Sequence, residues 1–455
     1  SDSRLNRLYQ NIRWSQRSNM LSIPTDCPSR EKGGFTGDIQ IYAKTAMLNE
    51  EMTPFLTGWL KNLKAAQAEN GAVPITVPET APYRRLMAAN AREFGDEPPV
   101  GVAGWSDAAV LVPYTMYRLT GNRRILEEQY ESMTHWCGYI IRTAEGRRGD
   151  FGLPHEVDSV LWNTGFHFGE WLIPSEEKGI TQKEACQRSA FYTAPIFGYL
   201  SVKCMAEIAE VLQKPEKAYY SRTADQMKAA IQTALICDGE LRSQNMGAYV
   251  LMIAFDLVPE HCKEHFAQKL ISLLDSHQGC LDTGFLATPF LLDAFVKIGR
   301  RDLAIKLLWQ TRMPSWLYEV EQGATSVWES WDAITPGSEP RITSYNHYAF
   351  GCVDAWIFEN IAGIRALEPG FRRVEIAPDP DGLPLEYCRR SFRCEYGDLL
   401  VFWDRQTLRV SIPCGVRAVI RWHGASHEVG SGEYTFTEPH RGGDQNERTG
   451  QYPIL

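Results

Sequence analysis

Apolar residues recur at helical spacing along most of the chain, from Leu5 to about Gly363. An interval of three or four residues puts the apolar positions on one face of an α-helix, which then packs against neighbouring elements. The pattern predicts about twelve amphipathic helices. The predicted segments are Leu5–Asn19, Ile39–Leu48, Pro54–Asn70, Ala103–Leu119, Arg123–Glu145, Ala190–Leu212, Ala218–Leu235, Asn245–Phe255, Glu260–Ser276, Pro289–Ile298, Arg301–Thr311 and His347–Ile361.

The spacing changes after residue 365. The segments Arg389–Asp404 and Leu408–His423 alternate apolar and polar residues, with turn residues at Gly397, Gly415 and Gly424. An alternation of period two, interrupted by turns, predicts antiparallel strands. We therefore expect a small antiparallel β-sandwich over about residues 366–440, followed by a loosely ordered polar tail, and we divide the chain into 1–365 and 366–455.

Long and short connections alternate in the helical part. The segments Gly71–Val102 and Arg147–Thr181 carry proline, glycine and aromatic residues and exceed the usual length of a helix connection, so we expect them to form part of a site. Paired helices closed into a toroid suit this pattern. A stack of solenoid repeats is the alternative, although the sequence has no repeat of fixed period.

The composition limits the classes of partner that we expect this chain to bind. A net charge of -9 gives no basic footprint for nucleic acid or anionic lipid, and no apolar run is long enough to cross a bilayer. The 11 cysteines are scattered, with neither a CxxC pair nor the spacing of a metal site, so we expect them to be free thiols. Free thiols favour a cytoplasmic location. No signal peptide is evident, but a periplasmic location stays open if a leader was removed.

No phosphate-loop, serine-hydrolase or zinc motif is present, and we expect no cofactor and no metal. The oligomeric state is left open.

One loop between the first two predicted helices concentrates charged residues. It contains Asp26, Arg30, Glu31 and Asp38 within thirteen residues that also include one proline and three glycines. Carboxylates in a loop held between rigid elements suit acid–base work or the binding of hydroxyl groups. The alternative is a solvated turn whose polar residues cap the helices.

The sequence around this loop, SQRSNMLSIPTDCPSREKGGFTGDIQIYAKTA, resembles the signature of the bacterial α-L-rhamnosidases, glycoside hydrolase family 78, usually DCPQRDERLGWTGD. The similarity continues through GWSDAAVLVPYTMYRLTGNRRILEEQY, FGEWLIP, LDTGFLATPFLLDAFVKIGRRDLA, PSWLYEVEQGATSVWESWD and SYNHYAFGCVDAWIFENIAGI, and covers most of residues 5–380. The resemblance implies a mainly α protein with an (α/α)6 barrel. It also implies the hydrolysis of α-L-rhamnosides with inversion.

The resemblance also implies roles for individual residues. Glu31 matches the general acid and Glu329 the general base. The matched substrate-binding residues are Asp26, Arg30, Phe35, Asp38, Trp105, Trp171 and His347. An inverting pair should hold its carboxyl groups roughly 6.5–9.5 Å apart, to leave room for a water.

Each assignment has a structural alternative. Glu329 could be an exposed residue on a helix face, and Arg30 could form a salt bridge with one of the two aspartates of its loop. His347 could be a cap or core residue, and the two tryptophans could pack the barrel.

Three departures separate this chain from the usual pattern. Phe35 replaces tryptophan, Ser-Arg-Glu-Lys stands where Gln-Arg-Asp-Glu-Arg is common, and Glu170 replaces aspartate in GEW. None removes a catalytic carboxyl, so we expect a divergent subgroup with an altered substrate. We predict a glycoside hydrolase that removes terminal α-L-rhamnose by inversion from glycosides or polysaccharides. The alternatives are a barrel hydrolase of another sugar and a non-catalytic carbohydrate-binding relative.

Overall fold

A computed structural model describes residues 1–79, 100–146, 152–176 and 180–437. Helices occupy most of the chain as far as residue 361. The α-helices in these ranges are α1 Ser3–Asn19, α2 Thr36–Asn49, α3 Thr53–Ala66, α4 Ala108–Thr120, α5 Arg123–Gly146, α6 His155–Asp158, α7 Gln182–Val211, α8 Lys217–Leu235, α9 Met246–Ala254, α10 Lys263–Ser276, α11 Thr288–Lys297, α12 Arg301–Leu308, α13 Trp316–Glu321 and α14 Val353–Trp356.

The helices differ in how they are buried. Every residue of α9 from Met246 to Ile253 is buried, and α2 and α4 are buried on most sides. In α8 only one stripe is buried, at positions such as Tyr220, Met227 and Ile231. A helix that is apolar all round lies inside, whereas an amphipathic one lies on the surface. This alternation of inner and outer helices confirms the predicted (α/α)6 barrel.

Most predicted helices are present, with ends shifted by a few residues. The segment predicted as a single helix from His347 is different: it contains a 3-10 turn at Ala349–Cys352, then α14, then a π-helical turn at Ile357–Ile361. His347 itself lies in the preceding loop. Helix α13 was not predicted; its start is capped by Ser315, whose hydroxyl accepts the N–H of Tyr318 at 3.2 Å.

The C-terminal part contains two four-stranded sheets, and a short hairpin, β1–β2, lies in the helical part. The strands are β1 Ile236–Cys237, β2 Glu240–Leu241, β3 Ile364–Ala366, β4 Arg373–Ile376, β5 Tyr387–Cys394, β6 Gly397–Asp404, β7 Thr407–Ile412, β8 Arg417–Trp422, β9 Ala425–Val429 and β10 Gly432–Thr437.

The two sheets have the strand orders β10-β7-β6-β5 and β3-β4-β8-β9. Alternate residues of β6, namely Leu399, Val401 and Trp403, are buried in the shared core, as expected for a sandwich. The predicted sandwich is confirmed with one difference: β4 pairs with β8 in parallel. Between β4 and β8 the chain forms three strands of the other sheet, β5–β7. When it comes back to the first sheet, β8 runs in the same direction as β4.

The division at residue 365 stays a prediction, and β3 spans it. The predicted polar tail lies outside the described residues. The sandwich is anchored to the barrel by Arg390 of β5, whose Nη2 lies 2.8 Å from Asp354 Oδ2 in α14 and 2.9 Å from Asn49 Oδ1 at the end of α2. Through Asn49 this contact reaches α2, the helix whose first turn contains Asp38. No helix among the described residues is long and apolar enough to span a membrane.

Candidate active site

The loop between α1 and α2 is closed by its own backbone. The N–H of Asp26 donates to the Gly33 carbonyl at 2.8 Å, and the N–H of Gly33 donates to Asp26 Oδ1 at 2.8 Å. At Gly34 a Cβ atom would lie 2.2 Å from the Val77 carbonyl oxygen, so only glycine lets the loop pass this close to the neighbouring segment. We call residues 26–35 the acid loop.

Asp26 and Glu31 are linked through the thiol of Cys27. The S–H donates to Asp26 Oδ2 at 3.0 Å, and the Glu31 N–H donates to the sulfur at 3.4 Å. Asp26 is 2% exposed, and burial raises the pKa of its carboxyl. Both oxygens of Asp26 therefore accept a hydrogen bond within the loop, and Asp26 shapes the loop besides being a candidate sugar ligand.

The predicted base, Glu329, lies in a second loop, residues 324–347, which we call the base loop. Its Oε2 accepts the Thr343 hydroxyl at 3.0 Å and the Ser344 N–H at 3.0 Å, and its own N–H donates to the Ser344 carbonyl at 2.9 Å. The side chain is 13% exposed and lies outside any helix. The alternative of an exposed residue on a helix face is therefore wrong.

Arg30 brings the two loops together. Its Nη2 lies 2.9 Å from Glu31 Oε1 and 3.1 Å from Glu329 Oε2. The alternative of a salt bridge between Arg30 and Asp26 or Asp38 does not describe the structure. The Asp26 oxygens are bound inside the acid loop, and Asp38 has a different cationic partner.

The two glutamates have opposite shifts of pKa. Burial raises the pKa of Glu31, and the negative charges of Asp26 and Glu329 raise it further against the charge of Arg30. Burial by itself would also raise the pKa of Glu329. There the positive charge of His347 and the donors already described outweigh burial and lower the pKa. Of the two carboxyl groups, Glu31 therefore keeps its proton to higher pH than Glu329.

Asp38 and His347 form a buried ion pair beside the two glutamates. His347 Nε2 lies 3.1 Å from Asp38 Oδ1, and the His347 N–H donates to the Val327 carbonyl at 2.8 Å. Burial opposes the charge on the imidazole, but the hydrogen bond and charge of Asp38 raise the pKa of His347 to about 9. Burial raises the pKa of Asp38 despite this partner. Within the described ranges, His347 Nδ1 is a buried atom that has no hydrogen-bond partner.

The predicted aromatic residues lie against the same elements. Trp105 is 3% exposed and packs on Gly37 of α2, where a Cβ would be 2.5 Å from its indole nitrogen. Phe168 connects Trp105 to the half-buried Trp171, with ring centroids 4.8 and 5.3 Å away. The half-buried Phe35 ring folds over Gly33. Trp105 thus serves barrel packing as well, as the structural alternative proposed.

Glu170, one of the departures from the usual pattern, directly precedes Trp171 and is buried. Its oxygens accept the N–H groups of Gly284 at 3.0 Å and Ala287 at 2.7 Å, and burial raises the pKa of Glu170 to about 7. Sequence reasoning missed Cys27 and also Thr343 and Ser344. Thr343 lies directly before the SYNHYAFG segment and Ser344 is its first residue, but nothing in their type or spacing marks them as hydrogen-bond donors to Glu329.

Family models match both parts of this chain. Residues 1–361 match the bacterial alpha-L-rhamnosidase 6 hairpin glycosidase domain, and residues 363–434 match the bacterial alpha-L-rhamnosidase C-terminal domain. The chain belongs to the bacterial α-L-rhamnosidase family. The predicted resemblance to glycoside hydrolase family 78 is confirmed.

Individual relatives agree with the family match. An α-L-rhamnosidase of Streptomyces avermitilis is 33% identical over 95% of this chain and 41% of its own length, and one of Formosa agariphila is 33% identical over 92% and 43%. The Streptomyces avermitilis α-L-rhamnosidase complexed with L-rhamnose superposes with a TM-score of 0.84, at 32% identity over 96% of this chain and 42% of that one. The α-L-rhamnosidase of Aspergillus terreus superposes with a TM-score of 0.83, at 29% identity over 96% of this chain and 49% of that one. The chain thus spans less than half of the length of these relatives.

Proposed function

We propose that this chain is the catalytic region of an inverting α-L-rhamnosidase that releases terminal α-L-rhamnose from a glycoside or polysaccharide. The observation that carries the proposal is the pair of carboxyl groups with opposite pKa shifts, Glu31 and Glu329, which face the same guanidinium. Membership of the family supports the choice of sugar. In this proposal the whole protein acts on rhamnose-containing carbohydrates.

Inversion requires one protonated and one ionised carboxyl group on opposite sides of the glycosidic bond. Glu31 is suited to protonate the departing oxygen because its pKa is raised, so it keeps its proton to higher pH than an ordinary glutamate. Glu329 is suited to deprotonate the attacking water because its pKa is lowered. The Thr343 and Ser344 donors both bind Oε2, and so they fix the orientation of this carboxylate.

The remaining predicted residues would bind the sugar. The carboxylates of Asp26 and Asp38 accept from hydroxyl groups, while Arg30 and the His347 imidazolium donate to them. The Nδ1 of His347 has no partner among the described residues, and a sugar oxygen would supply one. Phe35, Trp105 and Trp171 would provide the apolar wall against the pyranose ring.

Arg30 lies between the two candidate catalytic carboxyl groups. Its guanidinium bridges one oxygen of each, so these two oxygens are no more than about 6 Å apart. The water of an inverting reaction has to occupy the space between the two carboxyl groups. We therefore infer that rhamnose draws the guanidinium away from the bridge towards its own hydroxyl groups. The space that Arg30 leaves would admit the nucleophilic water.

The test is hydrolysis of 4-nitrophenyl α-L-rhamnoside by the purified protein, followed by proton NMR. We expect β-L-rhamnose as the first-formed sugar, and the same assay on the double variant Glu31→Gln/Glu329→Gln controls for contaminating activity. First formation of α-L-rhamnose would contradict inversion. Release from another nitrophenyl glycoside, with none from the rhamnoside, would favour the other barrel hydrolases. Rhamnose binding without turnover at any pH would favour the non-catalytic relative.

A further inference from the structure

The backbone that leads to Glu329 is held by three separate elements. The Val327 N–H donates to the Ser15 hydroxyl of α1 at 2.9 Å, and the Glu329 N–H donates to the Ser344 carbonyl at 2.9 Å. Between them, the Trp328 N–H donates to Glu319 Oε2 of α13 at 3.2 Å. Three consecutive N–H groups thus have acceptors from different parts of the fold, and one acceptor is an ionisable side chain.

Glu319 is an unusual acceptor because it lies in the protein interior. Its exposed fraction is 2%, and no cation among the described residues pairs with it. Burial raises the pKa of Glu319 well above its usual value, because the charged form is disfavoured away from water. Its Oε1 is buried and, in the part of the chain that is described, has no hydrogen-bond partner. An apolar side chain at this position would leave no such oxygen, but it would also leave the Trp328 N–H unbound.

The aromatic side chains of this segment also pack against their neighbours. The Trp328 ring lies edge-on to Tyr345 at 5.9 Å, and the Trp331 ring stacks on Phe350 at 4.4 Å. These contacts involve the side chains and not the peptide group that precedes Glu329. The hydrogen bond to Glu319 acts on the peptide group next to Glu329, where a small shift moves the carboxylate relative to the water that it must deprotonate.

We propose that Glu319 is a positioning residue for the general base. It holds the Trp328 peptide as a hydrogen-bond acceptor and thereby sets the position of Glu329. The inference rests on the proposed role of Glu329 and adds a residue that does not touch the substrate. The competing explanation is that Glu319 contributes only to the stability of the loop.

The experiment compares Glu319→Met with Glu319→Gln in the full chain, on 4-nitrophenyl and methyl α-L-rhamnosides. Methionine removes the acceptor while keeping the length, so we expect kcat to fall about tenfold or more. Because a base serves every substrate, both leaving groups should lose equally, and KM should change by less than about twofold. Glutamine retains a neutral carbonyl acceptor and should restore kcat to within about threefold of the wild type. Glu321→Met, on the exposed side of the same helix, is the matched control and should behave as the wild type.

Several outcomes separate the two explanations. Wild-type kcat in a folded Glu319→Met variant would overturn the proposal, and so would a loss confined to the methyl rhamnoside, which would place the defect at the acid. If the methionine variant does not fold, Glu319→Asp decides, since it keeps the carboxyl but withdraws it by one methylene; unchanged kcat would then overturn the proposal. A wild-type protein that hydrolyses no rhamnoside would instead refute the proposed function.

Discussion

The acid loop and the base loop place their glutamates in one site but are built differently. The acid loop is closed by contacts between residues close in sequence, such as Asp26 with Gly33 and Cys27 with Glu31. The base loop is also held by other elements, since Ser15 of α1 lies 312 residues from Val327 and Glu319 of α13 lies nine residues from Trp328. Glu31 and Glu329 meet through Arg30 although 299 residues separate Arg30 from Glu329. The difference teaches that one carboxyl is positioned by a local motif, whereas the other also depends on contacts with the separate helices α1 and α13.

The largest effect should come from removing the base. In Glu329→Gln no group remains to deprotonate the water, and general-base catalysis contributes about 10²–10⁴-fold. We expect kcat to fall by about 10³-fold on nitrophenyl and methyl rhamnosides alike. Steady-state kinetics on both substrates measure this. Glu321→Gln, on the surface of α13, controls for the loss of a carboxyl elsewhere. A variant that lost activity on only one leaving group would show that Glu329 is not the base.

Removing the acid should have an effect that depends on the leaving group. An alkoxide needs a proton to depart, whereas a nitrophenolate is stable without one. Glu31→Gln should therefore lose about 10³-fold on methyl rhamnoside and about tenfold or less on the nitrophenyl substrate. The ratio of the two kcat/KM values is the measurement. Equal losses here, together with a spared nitrophenyl activity in Glu329→Gln, would mean that the roles of the two loops are reversed.

The same contrast explains what could be predicted from the sequence. The acid loop lies within a short motif, so its residues could be named together. The helices were predictable because the inner and outer faces of the barrel impose a regular apolar spacing, as in α8. The sequence did not predict the hydrogen-bond donors Thr343 and Ser344, the acceptor Glu319 or the parallel pair β4–β8. Each of these depends on contacts between residues that only the folded chain brings together. The single helix predicted from His347 is interrupted by a 3-10 turn and a π-helical turn, and the spacing of its apolar residues does not indicate this interruption.

His347 joins the two loops, since its ring pairs with Asp38 and its N–H binds Val327. Its pKa is about 9 in the folded protein, against about 6.5 when unfolded. The protonated ring therefore stabilises the fold fully below about pH 6.5, and this stabilisation is lost as the pH rises through about 9. The loss should be about 3 kcal/mol.

Urea unfolding at pH 6 and pH 9.5 tests this prediction. His347→Gln should show a smaller decrease in unfolding free energy over this range than the wild type. His265→Gln changes an exposed histidine in an ion pair with Glu240 and should keep the wild-type slope. Identical slopes in the wild type and His347→Gln would mean that the ring does not hold its proton through the pair with Asp38.

Arg30 should set the position of the pH optimum. Its charge lowers the pKa of Glu31 and of Glu329. Arg30→Gln should therefore raise both pKa values. The acidic limb of the pH profile reports the ionisation of Glu329, and the basic limb reports the loss of the proton from Glu31. Both limbs should move to higher pH. The shift should be about one pH unit. The pH profile of kcat/KM measures it, and Arg30→Lys, which keeps the charge, should shift less. A profile that only decreased in height would confine Arg30 to sugar binding.

The smallest effect concerns Phe35, at the end of the acid loop. Phenylalanine offers less ring area than the usual tryptophan and no indole N–H, so the wall should admit a larger or chain-embedded rhamnose. Phe35→Trp should raise kcat/KM for 4-nitrophenyl rhamnoside about threefold relative to a rhamnose-containing oligosaccharide, which corresponds to about 0.7 kcal/mol. Phe436→Trp, in β10 of the sandwich, adds the same ring elsewhere and should leave the ratio unchanged. If Phe35→Trp also left it unchanged, residue 35 would not contact the substrate, and the acid loop would contribute to specificity only through its polar residues.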